Sequence, residues 1–154
     1  MKRLSVNIDV PDIKSGISFY RDGLGLRFAR LLTNQVAELF LDDLAIYLLE
    51  REARSSACST NSAQRIYERH WTPVHLDFVV DNIVRATGKA MRFGAKIDKP
   101  MTSHAWGKIA VLADPFGNGF CLIEFIGRGY DELVGRGKKK SKHALRSADC
   151  ARLN

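Results

Sequence analysis

Residues 5–13, "SVNIDVPDI", and residues 75–83, "HLDFVVDNI", decide the fold of this chain. At an offset of 70 positions, Val10 meets Val80, Asp12 meets Asn82 and Ile13 meets Ile83. Both segments alternate side chains with a period of two, which predicts strands. In the first, Ser5, Asn7 and Asp9 share one face, and Leu4, Val6, Ile8 and Val10 share the other. In the second, His75, Asp77 and Val79 oppose Leu76, Phe78 and Val80.

A helix is expected after each strand. Pro11 and Asp12 suit a first helical turn, and Ile13, Ile17, Tyr20 and Leu24 recur at helical spacing before Gly23 and Gly25 end the run. In the second half Asp81 is the expected N-cap. Ile83, Ala86, Ala90 and Phe93 form the apolar stripe, and Gly94 stops it. Three strands close each half, near 26–33, 36–42 and 44–50, and near 96–102, 108–113 and 120–126. Asp42-Asp43 and "DPFGNG" (residues 114–119) supply matching turns. Each half therefore reads β-α-β-β-β. About fifty residues bury too little surface to stand alone, so the two must pack together. The expected class is α+β: paired βαβββ modules forming a curved, half-barrel-like sheet around a cavity, with helices outside.

Residues 1–134 are expected to form one domain, with module one about 3–50, a linker 51–73 and module two about 74–127. The linker is long for a compact fold. "AQRIYERHW" within it suits one or two helical turns. The linker is either a solvated connection or a lid carrying Tyr67, His70 and Trp71 over the cavity mouth.

The chain of 154 residues has a net charge of +7, which raises a nucleic-acid reading. The charge is local. Residues 135–154 hold seven bases and one acid, so the other 134 residues are nearly neutral at +1. Such a run is expected to be a disordered, solvated tail with weak polyanion attraction and no specific nucleic-acid partner. No apolar run approaches the ~20 residues of a membrane span. The N-terminus lacks the apolar stretch of a signal peptide, and a cytoplasmic protein with no membrane partner is expected. Cys58, Cys121 and Cys150 are odd in number and far apart, which indicates neither a disulfide framework nor a zinc knuckle.

The paired modules, "VPDIKSGISFYRDGLGL" (residues 10–26) and "DPFGNGFCLIEF" (residues 114–125) together resemble the vicinal oxygen chelate superfamily of glyoxalases, fosfomycin and bleomycin resistance proteins and extradiol dioxygenases. The similarity covers roughly residues 3–127. Metal-dependent members of that group place His or Gln on the first strand, Glu on the fourth, His on the fifth and Glu on the eighth. The resemblance puts Ser5, Tyr47 (or Leu48, one residue on), His75 and Cys121 at these positions. Only His75 matches the ligand pattern, so no native metal or other cofactor is expected; a divalent ion at His75 is the alternative. Glu124, three residues after Cys121, falls on the opposite strand face.

Cys121 is either a small packing residue or half of a nucleophile–base pair with His75. These two are the candidate catalytic residues. The expected ligand-binding set is Ser5, Asn7, Tyr47, His75, Asp77, His104, Trp106 and Cys121. A place at the cavity mouth competes with edge packing for Trp106 and with an exposed loop position for His104. The resemblance implies sequestration of a small, partly apolar organic molecule, as in bleomycin-resistance-type members, and a homodimer. The alternative is a lyase, isomerase or dioxygenase with a divergent site. A third class is an interaction protein acting through the basic tail.

Overall fold

The computed structural model describes residues 4–59, 62–70 and 72–134. The expectations for Trp71 and for the tail 135–154 lie outside the described residues. Module one runs β1 (Ser5–Val10), α1 (Ile13–Ile17), β2 (Arg27–Thr33), β3 (Val36–Leu41) and β4 (Leu44–Glu50). Module two runs β5 (Leu76–Val79), α2 (Ile83–Arg92), β6 (Lys96–His104), β7 (Gly107–Ala113) and β8 (Gly119–Phe125). The two sheets are ordered β1-β4-β3-β2 and β5-β8-β7-β6. In each, the first and last strands pair in parallel and the remaining pairs are antiparallel. The sheets are curved and open, and the predicted α+β class holds. The outer strands β2 and β6 each carry two register shifts against their neighbours. Such bulges bend an edge and blunt it against foreign strands.

The helix starts differ from expectation. Asn82, not Asp81, caps α2: its Oδ1 accepts the Arg85 amide at 2.8 Å. Asp12 likewise precedes α1 rather than joining its first turn, accepting the Ser15 amide at 2.8 Å and the Ser15 hydroxyl at 2.6 Å. A cap must reach the third amide of the helix, so the cap is the residue directly before Ile13 or Ile83, and Asp81 is one position too early. Beyond Ile17 the helix widens into a π-helical turn, Ser18–Gly23, in which the Leu24 amide bonds the Phe19 carbonyl at 3.0 Å. The wider turn buries two consecutive residues, Phe19 and Tyr20.

Val10, Ile13, Phe19, Leu39 and Leu48 of module one share one continuous core with Phe78, Ile83, Leu112, Phe120 and Leu122 of module two. Phe120 lies edge-on to both Phe19 (6.0 Å between ring centres) and Phe78 (5.8 Å). Each such buried ring contributes about 1.5–3 kcal/mol by burial alone.

The described part of the linker forms no helix. Ala57 donates to the Ala63 carbonyl at 2.9 Å, and Arg65 donates to Ser55 at 3.0 Å, so the chain folds back on itself as a hairpin-like turn. The Ala63 and Arg65 carbonyls, which helical turns would have used, accept from Ala57 and Arg54 instead. Residues 65–70 then strap across both modules. Arg65 pairs with Asp9 of β1 at 2.7 Å, Tyr67 donates to the Arg51 carbonyl at 2.7 Å, and Arg69 pairs with Asp98 of β6 at 2.5 Å.

Candidate functional site

The two modules present equivalent polar strand faces. In module one Asn7 lies opposite Tyr47 across the parallel β1–β4 pair; in module two Asp77 lies opposite Cys121 across β5–β8. Three residues beyond Tyr47 and Cys121 stand Glu50 and Glu124. Glu50 Oε2 accepts the Ile13 amide at 2.8 Å, and Glu124 Oε2 accepts the Ile83 amide at 2.8 Å. Each glutamate thus anchors the start of its module's helix. This repeat fixes the alignment: Tyr47 is the counterpart of Cys121, while Leu48 is fully buried in the core. Glu124 points away from Cys121, to the helix side, where it also binds Lys108 at 2.8 Å.

On module two the face is a cluster. His75 Nε2 lies 3.2 Å from Asp77 Oδ1. The Cys121 thiol, itself buried, stands beside Asp77, and the three polar atoms lie within 4.8 Å of one another. Burial pushes the Cys121 thiol up to about 12, and the hydrogen bond to the Asp77 carboxylate and its charge add to this. At neutral pH only roughly one thiol in 10⁵ is then ionised. Asp77 stands between Cys121 and the His75 ring, 3.2 Å from His75 Nε2.

On module one the corresponding face is occupied internally. Tyr47 Oη donates to Glu38 Oε1 at 3.0 Å, and Arg30 Nε binds Glu38 Oε2 at 2.8 Å. Arg30 holds the Glu38 carboxyl below its usual range, with the Tyr47 hydrogen bond assisting. That same hydrogen bond raises the Tyr47 phenol. Sequence reasoning missed Arg30 and Glu38. The signal was present: Glu38 is a charged residue inside "VAELFL", at a position that alternation places beside Tyr47.

Two adjoining cavities meet at His75. The first, about 220 Å³, opens between β1 and the start of β5. Val6, Ile8, Leu76, Phe78 and Phe120 supply apolar walls, and Asn7, His75 and Asn118 supply polar groups. The second, about 420 Å³, runs over the module-two face past Cys121 to Arg69 and Lys99. Of the expected ligand-binding set, Asn7, His75 and Cys121 line these cavities, and Asp77 contacts both His75 and Cys121. Among the described residues, Ser5 and Tyr47 line neither of these two cavities; the structure brings His75, Asp77 and Cys121 together on module two. His104 and Trp106 lie away from both cavities. Their rings stack at 5.1 Å, and Trp106 packs on Phe125 and Tyr130, so they build the β6–β7 hairpin.

Two βαβββ modules with a shared core and a polar strand face in each define a protein of the vicinal oxygen chelate class. The model of the glyoxalase-like domain matches residues 5–123, and the chain belongs to that family. Among solved structures, the chain is similar to a glyoxalase/dioxygenase from Nostoc punctiforme, with a TM-score of 0.64 at 18% identity, covering 82% of this chain and 92% of that one. It is similar to the fosfomycin resistance protein FosX from Listeria monocytogenes, with a TM-score of 0.63 at 16% identity, covering 88% and 97%. A glyoxalase/bleomycin resistance protein/dioxygenase family enzyme from Burkholderia phytofirmans gives 0.61 at 21% identity, covering 79% and 97%. These likenesses show the fold. A search of curated proteins finds no match.

Members of this superfamily often hold a divalent metal on the four strand positions. The module-one residues here do not suit that ion. An oxygen-rich octahedral site wants carboxylates, whereas the Tyr47 phenol is neutral and already bonded to Glu38. Both Glu38 oxygens are taken, by Tyr47 and Arg30.

Proposed function

We propose that the chain binds a small, partly apolar organic molecule in the cavity between β1 and β5, and that this binding needs no four-strand metal. The cavity itself carries the proposal. Val6, Ile8, Val74, Leu76, Phe78 and Phe120 line it with apolar surface, and polar side chains, Asn7, His75 and Asn118 among them, lie where they would orient a ligand. Sites of this composition, mostly apolar with few polar groups, are the usual form of small-molecule pockets, and about 220 Å³ is at the small end of their range. In this proposal residues 1–134 act as one unit, as a homodimer in the cytoplasm, and the tail 135–154 is dispensable. Among the described residues, no helix is long and apolar enough to cross a membrane.

The test is a thermal-shift screen of untagged, metal-stripped protein against small aromatic and branched aliphatic acids, amides and lactones, with native mass spectrometry of the purified protein. At least one compound should raise the melting temperature, and Leu76→Trp, which fills the cavity, should abolish the shift. A screen with no shift, or shifts that persist in Leu76→Trp, would sink the proposal.

One observation favours a second reading, a metal-free enzyme of the same superfamily. Asp77 orients the His75 imidazole toward both cavities, as a carboxylate orients a general base. Turnover of a bound compound, lost in His75→Ala while binding persists, would select this reading over sequestration.

A further inference from the structure

We propose that Arg69 and Lys99 form an anion subsite in the second cavity, and that the organic molecule bound by the chain carries a single carboxylate there. This rests on the organic-molecule reading and narrows its chemical class. Arg69 comes from the strap and Lys99 from the outer strand β6, so neither stands at the strand positions where relatives hold a metal. Gly119, the first residue of β8, makes the room. A Cβ built on Gly119 would stand 2.9 Å from Arg69 Nη2 and 3.2 Å from its Cζ, so the guanidinium lies directly on a strand backbone that has no side chain there. Gly119 lines both the first and the second cavity. The guanidinium therefore sits where the two hollows join.

The guanidinium is fixed but not saturated. Its Nε binds Asp98 Oδ2 at 2.5 Å, and Nη1 donates to the His70 carbonyl and, at 3.4 Å, to that of Gly117. Among the described residues Nη2 has no acceptor, and Lys99 has no ion pair. A guanidinium already held by its neighbours has little rotamer freedom left to lose when an oxygen arrives. Charge decides what arrives. Two cations, Arg69 and Lys99, against one carboxylate, Asp98, leave the lining at +1 with His75 counted neutral. One carboxylate balances that charge, and its charge-assisted hydrogen bonds are stronger than those of an amide of the same shape. The sheet also says where the anion sits. Asp77, Cys121, Val111 and Lys99 are successive partners in one row across β5, β8, β7 and β6. At about 4.8 Å per strand, Lys99 starts about 14 Å from Asp77, beyond a Debye length of about 8 Å. Asp77 therefore disfavours an anion at its own end of the row and not at the Arg69–Lys99 end. The apolar part of the same molecule reaches back over Gly119 onto Phe120, which lines both cavities. The class is a small aryl- or alkyl-substituted carboxylic acid.

The test is isothermal titration of untagged full-length protein with two matched pairs, phenylacetate against phenylacetamide and 3-phenylpropanoate against its amide. In at least one pair the acid should bind about tenfold or more tighter than the amide at low ionic strength, and the preference should shrink as salt is added. Lys99→Gln, at an exposed position, should keep its circular dichroism, weaken the acid severalfold and leave the amide unchanged. Lys96→Gln, on the same strand and outside both cavities, should bind as the parent does. Arg69→Gln should weaken the acid as Lys99→Gln does; because Arg69 also ties down the strap, Lys99→Gln decides the case in which Arg69→Gln loses both ligands. An amide that binds as tightly as its acid, or an acid preference that survives Lys99→Gln and Arg69→Gln together, would overturn the carboxylate assignment and leave the organic-molecule reading standing. If none of the four probes binds, the assignment falls as well, and the wider compound screen decides the organic-molecule reading by itself.

Discussion

The Tyr20 hydroxyl donates to Asp114 Oδ2 at 2.7 Å, and both residues are buried. Tyr20 belongs to the π-helical turn of module one, and Asp114 opens the turn before β8 of module two. Asp114 also accepts the amides of Phe116 and Asn118, each at 2.8 Å, and the Asn118 side-chain amide at 2.9 Å. Among the described residues Asp114 has these four donors and no ion-pair partner, so losing one donor leaves a buried carboxylate less well satisfied. The pair therefore couples the shape of the "DPFGNG" turn to the seating of the module-one helix. Asn118, fixed by this network, is one of the polar residues of the first cavity.

Tyr20→Phe should cost about 1–3 kcal/mol, the cost of removing one donor from a buried charged acceptor. It should also alter the alkaline limb of stability. Burial, then the Asp114 charge, raise the Tyr20 phenol well above its ordinary 10.0. The unfolded chain loses this proton first, so the contribution is full below pH 10 and falls as pH climbs beyond it. Denaturant melts from pH 8 to 11 should show a shallower decline for Tyr20→Phe than for the parent. Equal slopes would show that Tyr20 does not govern this limb.

Cys121 should be a slow thiol. Its value of about 12, against an ordinary 9.0, leaves little thiolate at pH 8. Iodoacetamide labelling followed by mass spectrometry should modify the exposed Cys58 at least about a hundredfold faster. Asp77→Asn removes the negative charge and should speed Cys121 labelling, without reaching the Cys58 rate because burial is the largest cause of the shift. Rapid labelling of Cys121 in the parent would instead revive the nucleophile–base reading.

Glu124 should matter to acid stability. Lys108 first, then the Ile83 amide, hold its carboxyl below the usual 4.5. The contribution is present above pH 4.5 and is lost as pH falls through the lowered folded value. Glu124→Gln keeps an acceptor for Ile83 but drops the attraction to Lys108. Its melting temperature at pH 7 should fall, and the decline from pH 5 to pH 3 should flatten. Unchanged melts would mean that the Lys108 pair adds nothing beyond the cap.

The strands, the two module frames and the position of Cys121 were legible because alternation and the 70-residue repeat are local patterns in the chain. The partners that Tyr47 and Cys121 take were not. Tyr47 is drawn to Glu38, a contact set by the β3–β4 register rather than by spacing along the chain. The Asp77–Cys121 contact joins strands 44 residues apart in sequence. The missing helix in the linker has a similar cause. Propensity favoured helical turns in "AQRIYERHW", but pairing of Arg54 and Ser55 with Arg65 fixed the backbone otherwise.

Gly117 seats the strap. Its φ is +90°, and a Cβ built there would stand 1.9 Å from the Glu68 carbonyl oxygen. Gly117→Ala must therefore take on left-handed strain of about 1–2 kcal/mol and also push residues 68–70 off the turn. The His70 amide would lose the Gly117 carbonyl, and Arg69 would be drawn away from Asp98. The expected outcome is a melting temperature lowered by several degrees, about 2–4 °C per kcal/mol for a chain of this size, with trypsin cutting faster after Arg65 and Arg69. Gly88→Ala is the control: it lies in α2 with nothing within 4 Å of the added carbon. The added methyl should leave stability unchanged or raise it by up to about 1 kcal/mol. Ligand binding in the first cavity should weaken in Gly117→Ala and not in Gly88→Ala, because Thr72 and Val74, just beyond the strap, line that cavity. If Gly117→Ala resists trypsin as the parent does, the strap is held by Arg65–Asp9 and Tyr67–Arg51 alone, and the glycine turn is not its seat.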